Sequence, residues 1–176
     1  VDLMHTRAAV EAALPLLEKH GAITAISSIS GIEDYGFDGV SYGTMKAALL
    51  SPSACNSQPW RYILVTEAQV ASELAKCFQD PPLPINRFTS GARAFAVLCE
   101  GQASLIARAG GKIRDQKYAL MDLGMSVMQL CLRASDQGLG TCILGWMHED
   151  RVKKLLGIPE DVRVRLAVAF GYPNNL

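Results

Sequence analysis

The stretch SPSACNSQPW, residues Ser51–Trp60, decides how the rest of this sequence is interpreted. It is polar, contains two prolines and separates a predicted helix from a predicted strand, so we expect it to form a loop. The amides of Asn56 and Gln58 can both donate and accept hydrogen bonds, and Ser53 adds a hydroxyl. Such a loop between two packed elements suits the binding of a polar ligand. The alternative is that these side chains only satisfy a turn that precedes a strand.

Helices and strands alternate on both sides of this loop, which indicates an α/β or α+β protein. The predicted helices are Thr6–His20, Ser41–Leu50, Glu67–Phe78, Lys117–Gln137 and Glu149–Leu156. The predicted strands are Ala22–Ser27, Arg61–Thr66, Ala94–Cys99, Thr141–Leu144 and Val162–Phe170. Gln79–Arg93 is predicted to be a long loop, and the glycine-containing Ser104–Gln116 a loop with some helix. Trp60, at the end of the first stretch, is expected to be a core residue.

The helix predicted over residues 117–137 is apolar on two sides. A helix of this kind is expected to be buried on both sides, either at the centre of the fold or at a dimer interface. One side carries Met121, Met125, Met128 and Leu132, and the other carries Leu120, Leu123, Val127 and Leu130.

Composition excludes several classes of function. The chain has 176 residues, of which 17 are basic and 17 acidic, so we expect one domain over residues 1–176 and no nucleic-acid partner. No apolar run approaches the roughly 20 residues that span a bilayer, and no signal-peptide pattern opens the sequence. Five widely spaced cysteines indicate a reduced, cytoplasmic protein without disulfides. The three histidines have no ligand spacing, so no metal site is predicted.

The ordered set of motifs resembles the nitroreductase family over Ala47–Pro173. Pro52–Trp60 is similar to that family's PSxxNxQPW segment, and PLPINRF, Pro82–Phe88, is similar to a segment of its small members. The later landmarks are DLGMSVMQLCLRAS (Asp122–Ser135), GLGTCILGW (Gly138–Trp146) and LLGIPEDVRVRLAVAFGYP (Leu155–Pro173).

The resemblance implies an α+β fold, a three-layer α/β/α sandwich with a central mixed or antiparallel sheet and a long buried helix. It also implies a homodimer that binds FMN, takes electrons from NAD(P)H and passes them to nitroaromatic, quinone or similar small-molecule acceptors. The flavin would supply the chemistry, and the protein would supply binding and orientation. The resemblance does not identify any side chain as a catalytic residue.

The resemblance also implies which residues would hold the flavin. The loop would contact the flavin of the partner subunit, Asn86 falls where a family asparagine meets the flavin, and the segment before Trp146 would lie along the ring. Gly145 would let the backbone approach the ring closely. The implied cofactor-binding residues are Pro52, Ser53, Ala54, Asn56, Gln58, Asn86, Cys142, Ile143, Leu144 and Gly145.

Residues 1–50 depart from the family pattern. They lack the Arg-Arg-Ser-x-Arg segment that grips the FMN phosphate in nitroreductases, so other basic groups would have to offset that charge. The candidates are Arg87, Arg108, Lys112 and Arg114. A protein of the same scaffold that binds flavin without turnover, or binds none, is therefore the alternative.

Residues 1–50 resemble instead a fragment of a short-chain dehydrogenase/reductase. Ala13–Gly31 is followed by Tyr42 and Lys46, at the Tyr-x-x-x-Lys spacing of that family, and Ser28 precedes Tyr42 by 14 positions. A lysine one turn from a tyrosine favours general acid–base chemistry at the phenol. Because no glycine-rich dinucleotide loop is present, these three residues are expected to be silent. Residual dehydrogenase chemistry at Tyr42 is the further alternative.

Overall fold

The computed structural model describes residues 22–24, 42–79 and 85–172. Five helices lie in this part of the chain: α1 (Tyr42–Leu49), α2 (Ala68–Cys77), α3 (Leu105–Arg114), α4 (Tyr118–Asp136) and α5 (Glu149–Leu156). The strands there are β1 (Ala22–Thr24), β2 (Trp60–Val65), β3 (Ala94–Glu100), β4 (Gly140–Leu144) and β5 (Val164–Gly171). The predicted helix Thr6–His20 lies outside the described residues.

The five strands form one sheet in the order β1-β2-β3-β5-β4, and every neighbouring pair is antiparallel. The sheet is therefore antiparallel rather than mixed. Helices lie between three pairs of strands that are neighbours in the sheet: α1 between β1 and β2, α2 between β2 and β3, and α5 between β4 and β5. β3 lies at the centre, and β4 is an edge strand beside β5.

Helices cover both faces of the sheet, as the α/β/α prediction requires. β3 is buried along its length because its alternating residues enter two separate cores. Ala96 and Leu98 pack with α1 and α4, whereas Phe95 and Val97 pack with α2 and α5. Trp60 is 6% exposed in the first core, which confirms that it is a core residue.

The segment Ser104–Gln116 is more regular than the sequence predicts. It forms helix α3, because Ser104 Oγ accepts a hydrogen bond from Ala107 N at 3.2 Å and caps the first turn. At the other end Asp115 adopts a left-handed conformation, and Gln116 N donates to Gly111 O at 2.8 Å. A Cβ atom at Gly111 would lie 2.6 Å from Gln116 O, so this glycine allows the helix to close.

α4 is buried on one side only within the single chain. Leu123, Val127 and Leu130 are at most 2% exposed against the sheet. The sequence predicts that the other side is buried as well. In the single chain that side is 41–54% exposed at its four large apolar residues, Met121, Met125, Met128 and Leu132. A second contact would be needed to bury this side.

A buried lysine and a glutamate join α5 to β5. Lys153, 5% exposed, donates to Glu160 O at 2.9 Å and lies 3.3 Å from the Glu149 carboxylate. Val164 N donates to the same carboxylate at 2.9 Å, and Arg163 Nε at 3.1 Å. Desolvation by itself would raise the pKa of Glu149, but these hydrogen bonds and charges outweigh it and lower that pKa.

Candidate functional site

The loop between α1 and β2, residues 51–59, has an unusual backbone. A short 3₁₀ turn spans Ala54–Asn56, and Cys55, Asn56 and Gln58 have φ angles of 52°, 49° and 45°. Residues other than glycine rarely adopt this left-handed region, at a cost of roughly 1–3 kcal/mol each. Such a conformation persists only where the surrounding contacts fix it, and it is common at binding sites.

Hydrogen bonds hold the loop from within and from two helices. Gln58 N donates to Ser53 Oγ at 2.9 Å, and Ser57 Oγ donates to Ala54 O at 2.6 Å. Ala54 N donates to the Asp122 carboxylate of α4 at 3.0 Å. Ser57 Oγ also accepts from Ser104 N at 3.2 Å, which places the start of α3 beside the loop. The strained turn is therefore tied to both α3 and α4.

The loop leaves several polar groups open for a ligand. Asn56 is exposed, and its side-chain amide makes no hydrogen bond within the described residues. The Ser53 hydroxyl accepts from Gln58 N and retains its own proton for another acceptor. Gln58 is exposed, and its Nε2 makes only a long bond, 3.4 Å, to Leu49 O. Exposed Pro52 and half-buried Ala54 complete the predicted loop residues.

The second predicted set lies on β4 and just beyond it. Cys142 and Ile143 are exposed on this edge strand, and Gly145 is exposed after it. Leu144 is 2% exposed and its side chain belongs to the second core, so only its backbone faces the edge. A Cβ atom at Gly145 would make only an ordinary 3.8 Å contact with Leu166, so any close approach there comes from outside this chain.

One chain does not bring the two sets together. The loop leads into β2, the second set lies on β4, and β3 and β5 separate these strands in the sheet. With neighbouring strands about 4.8 Å apart, β2 and β4 are roughly 14 Å apart. Within one chain, a ligand that contacts both sets would have to reach across three strand spacings of the sheet.

Asn86 makes a structural contact of its own. It adopts a left-handed conformation with φ 62°, before the 3₁₀ turn Arg87–Gly91, and is half-buried. Its Nδ2 donates to Phe78 O at 3.3 Å, which leaves the side-chain oxygen for a ligand. No hydrogen bond among the described residues joins Asn86 to the loop or to β4.

The dehydrogenase-like residues fall on a helix that the fold uses for packing. Ser28 lies outside the described residues, and Tyr42 is the first residue of α1. Lys46 is half-buried on α1 between Met45 and the core residue Ala48. Because α1 covers the sheet beside α4, this segment belongs to the same unit as the loop that follows it.

Two buried polar residues on α4 escape the sequence interpretation, which treats the helix as apolar. Asp122 and Ser126 are buried at 2% and 0% exposure. Ser126 Oγ donates to Ala48 O at 2.7 Å and accepts from Tyr62 OH at 2.8 Å. Burial holds the pKa of Tyr62 above its ordinary value, so this phenol remains a donor. The available signal was the spacing of two polar residues, i and i+4, within an apolar face.

The described residues contain no group of three or more His, Cys, Asp or Glu side chains that could hold a metal ion. Among the helices described, none is long and apolar enough to cross a membrane. All five cysteines are free thiols.

Both the sequence and the fold match known proteins. The model of the nitroreductase family matches residues 44–172. A putative NADH dehydrogenase/NAD(P)H nitroreductase of Archaeoglobus fulgidus is 31% identical over 137 residues, which cover 74% of this chain and 71% of the relative. An NADH dehydrogenase of Thermus thermophilus is 28% identical and covers 93% of this chain and 91% of its own length.

The fold also matches that of a solved FMN-dependent nitroreductase from Clostridium difficile, with a TM-score of 0.62 and 17% identity. The match covers 83% of this chain and 81% of the solved one. The family match includes the loop 51–59, β4 and Lys46, and the Thermus relative aligns with nearly the whole chain. The dehydrogenase resemblance of residues 1–50 therefore gains no support.

Proposed function

The chain belongs to the nitroreductase family, and we propose that it is an FMN-dependent oxidoreductase that takes electrons from NAD(P)H. It passes them to small-molecule acceptors such as nitroaromatics or quinones. The observation that carries the proposal is the family match over residues 44–172, because it includes both predicted cofactor segments. When bound, the flavin would accept and deliver hydride equivalents.

The residues of the loop fit the polar edge of a flavin ring. That edge presents carbonyl oxygens and ring nitrogens, and so needs both donors and acceptors. Asn56 and Gln58 carry exposed amides, and Ser53 has a hydroxyl proton free to donate. The strained backbone presents these groups without first having to fold around the ligand, which reduces the entropic cost of binding.

The phosphate end needs cations, and α3 carries them. Arg108, Lys112 and Arg114 are exposed on this helix, whose Ser104 cap is hydrogen-bonded to the loop at Ser57. Arg108 lies four residues after Ser104, or about 6 Å along the helix axis. Arg108 is therefore the best placed of the three for a phosphate near the loop, and Lys112 and Arg114 lie further along the helix. Arg87 is the other exposed candidate.

The working form is a homodimer in which α4 packs on α4 of a second copy. Met121, Met125, Met128 and Leu132 follow one another at spacings of four, three and four residues, which is the pattern of a helix–helix seam. Gly124 lies on the same exposed side, with no atom near its would-be Cβ, and allows close approach. A soluble monomer rarely leaves such a stripe in water.

Dimerisation supports a composite site. Since β2 and β4 lie apart in one sheet, the loop of one copy and the Cys142–Gly145 segment of the other would together enclose the flavin. The five free thiols favour a reducing compartment, and we assign the protein to the cytoplasm.

The visible spectrum of the purified protein is the first test. Parent protein should be yellow, should release FMN on denaturation, and should oxidise NADH or NADPH in the presence of a quinone or nitroaromatic acceptor. Protein that is colourless and does not take up added FMN would refute the proposal. Tight flavin binding without turnover of either nicotinamide would favour the binding-only alternative.

A further inference from the structure

Asp122 is a buried acid that contacts the candidate cofactor loop. It lies on the inward side of α4 at 2% exposure, and its Oδ1 accepts from Ala54 N at 3.0 Å. Its Oδ2 is buried and has no hydrogen-bond partner among the described residues. A carboxylate with a single hydrogen bond is an unfavourable choice for a core position. Its presence there therefore has a local reason, and its one hydrogen bond within the described part of the chain is to the loop at Ala54.

The position of that hydrogen bond explains what the carboxylate does. Ala54 is the first residue of the 3₁₀ turn, and the left-handed residues Cys55 and Asn56 follow directly. Fixing the Ala54 N–H fixes where this turn begins and how its peptides are oriented. The bond also ties the loop to α4, whose Leu123 and Val127 are packed in the core. The turn thus rests on a rigid element of the fold.

We propose that Asp122 is a positioning residue for the cofactor, which acts through Ala54 N–H to hold Ser53 and Asn56 in the conformation that meets the flavin. The inference rests on the proposed function, because it presupposes that FMN binds at the loop. Asp122 itself touches no part of the ligand. An oxygen acceptor at this position is what matters, rather than a negative charge.

The test is an FMN titration of cofactor-depleted protein, followed by flavin fluorescence. Asp122→Ala should weaken FMN binding about tenfold, since one hydrogen bond to the strained turn is lost. Asp122→Asn keeps a side-chain oxygen for Ala54 N–H and should restore affinity to within about threefold of the parent. If Asp122 only filled space in the core, FMN affinity would not depend on an acceptor for Ala54 N–H, and Asp122→Asn would give no such rescue.

Ser126→Ala is the matched control. Ser126 lies one turn further along the same buried side of α4, but it bonds Ala48 O and Tyr62 OH rather than the loop. This variant should lower the thermal midpoint while changing FMN affinity less than about threefold, because the turn keeps its own bond.

Ala54→Pro tests the donor side of the same bond without touching the core. Proline is tolerated at the first position of a helical turn, and Ser53, with ψ 155°, already has the extended conformation required before proline. Ala54→Pro should weaken FMN binding as Asp122→Ala does. The double variant should bind FMN no more weakly than the weaker-binding single variant, because both substitutions remove the same hydrogen bond. If Asp122→Ala does not fold, Ala54→Pro and Asp122→Asn still decide.

The outcomes separate this inference from the proposed function. If the parent protein binds no FMN, both fail. If the parent binds FMN and Asp122→Ala or Ala54→Pro binds it equally well, only the positioning role fails. Loss of affinity in Asp122→Asn equal to that in Asp122→Ala, or in Ser126→Ala equal to either, also overturns it.

Discussion

The replacement Met128→Glu tests whether the exposed stripe of α4 is the dimer seam. A fully buried Met side chain contributes roughly 1.5–3 kcal/mol, and Met128 is 54% exposed in the single chain. Burial of that remainder contributes about 0.8–1.6 kcal/mol per protomer, and about 1.6–3.2 kcal/mol for two copies related by a two-fold axis. At about 1.4 kcal/mol per tenfold, losing it weakens association about 15- to 200-fold. Burial of two carboxylates in the seam adds to that loss.

The assay is sedimentation velocity over a series of protein concentrations, with FMN titrations on the same samples. Leu155→Glu is the control, because Leu155 is 37% exposed on α5, which covers the opposite face of the sheet. The control should associate and bind FMN like the parent, whereas Met128→Glu should dissociate and lose FMN in parallel. A Met128→Glu protein that stays dimeric refutes the seam. A monomeric one with parental FMN affinity refutes the shared site.

Four further variants test the loop, α3 and the α5–β5 contact. Asn56→Gly keeps the left-handed backbone at φ 49° and removes the amide, so FMN titration should show about tenfold weaker binding without a lower thermal midpoint; unchanged affinity would exclude a contact. Gly110→Ala meets no atom within 4 Å and should stabilise α3 by about 0.5–1 kcal/mol, whereas Gly111→Ala, 2.6 Å from Gln116 O, should destabilise it. Thermal melts that rank the pair in reverse would contradict this geometry. Glu149→Gln should lower the free energy of unfolding. Because folding lowers the pKa of Glu149, the difference between the parent and this variant should be complete above about pH 4.3 and should disappear as pH falls through the folded-state pKa. Denaturant unfolding at a series of pH values measures this difference, and a difference that persists in acid would disprove the assignment.

Elements whose character depends on their own side chains could be predicted from the sequence. Helix α5 has the predicted bounds, Glu149–Leu156, because acidic residues open it, lysines close it and a left-handed Gly157 ends it. The central strand β3 was also recognisable, since an unbroken apolar run of that length is typical of a strand buried on both faces.

The failure at α3 has an identifiable cause. Gly110 and Gly111 lower intrinsic helix propensity, and propensity is the main signal over such a short segment. The helix depends instead on the cap at Ser104 and on a close contact between Gly111 and Gln116 that exists only after the chain turns back. A contact of this kind produces no periodic pattern in the sequence.

The residues of the candidate site stay a prediction from the sequence, whereas the contacts that support them are found only in the structure. Motif resemblance selected the loop and β4, and the family match includes both. The left-handed turn at Cys55 and Asn56 could not be foreseen, because neither residue requires it. The ties to Asp122 and Ser104 connect positions 68 and 47 residues apart, a separation at which local patterns carry no information.

α4 shows why hydrophobic periodicity alone cannot assign the two sides of a helix. A surface helix normally buries its apolar stripe and exposes its polar side chains. α4 does the reverse in part, since Asp122 and Ser126 are buried while Met128 and Leu132 are exposed. The buried polar residues hold the loop and α1, and the exposed apolar stripe is of the kind that marks a surface for a partner. The same helix therefore supports the cofactor loop on one side and, in the proposed dimer, carries the partner on the other.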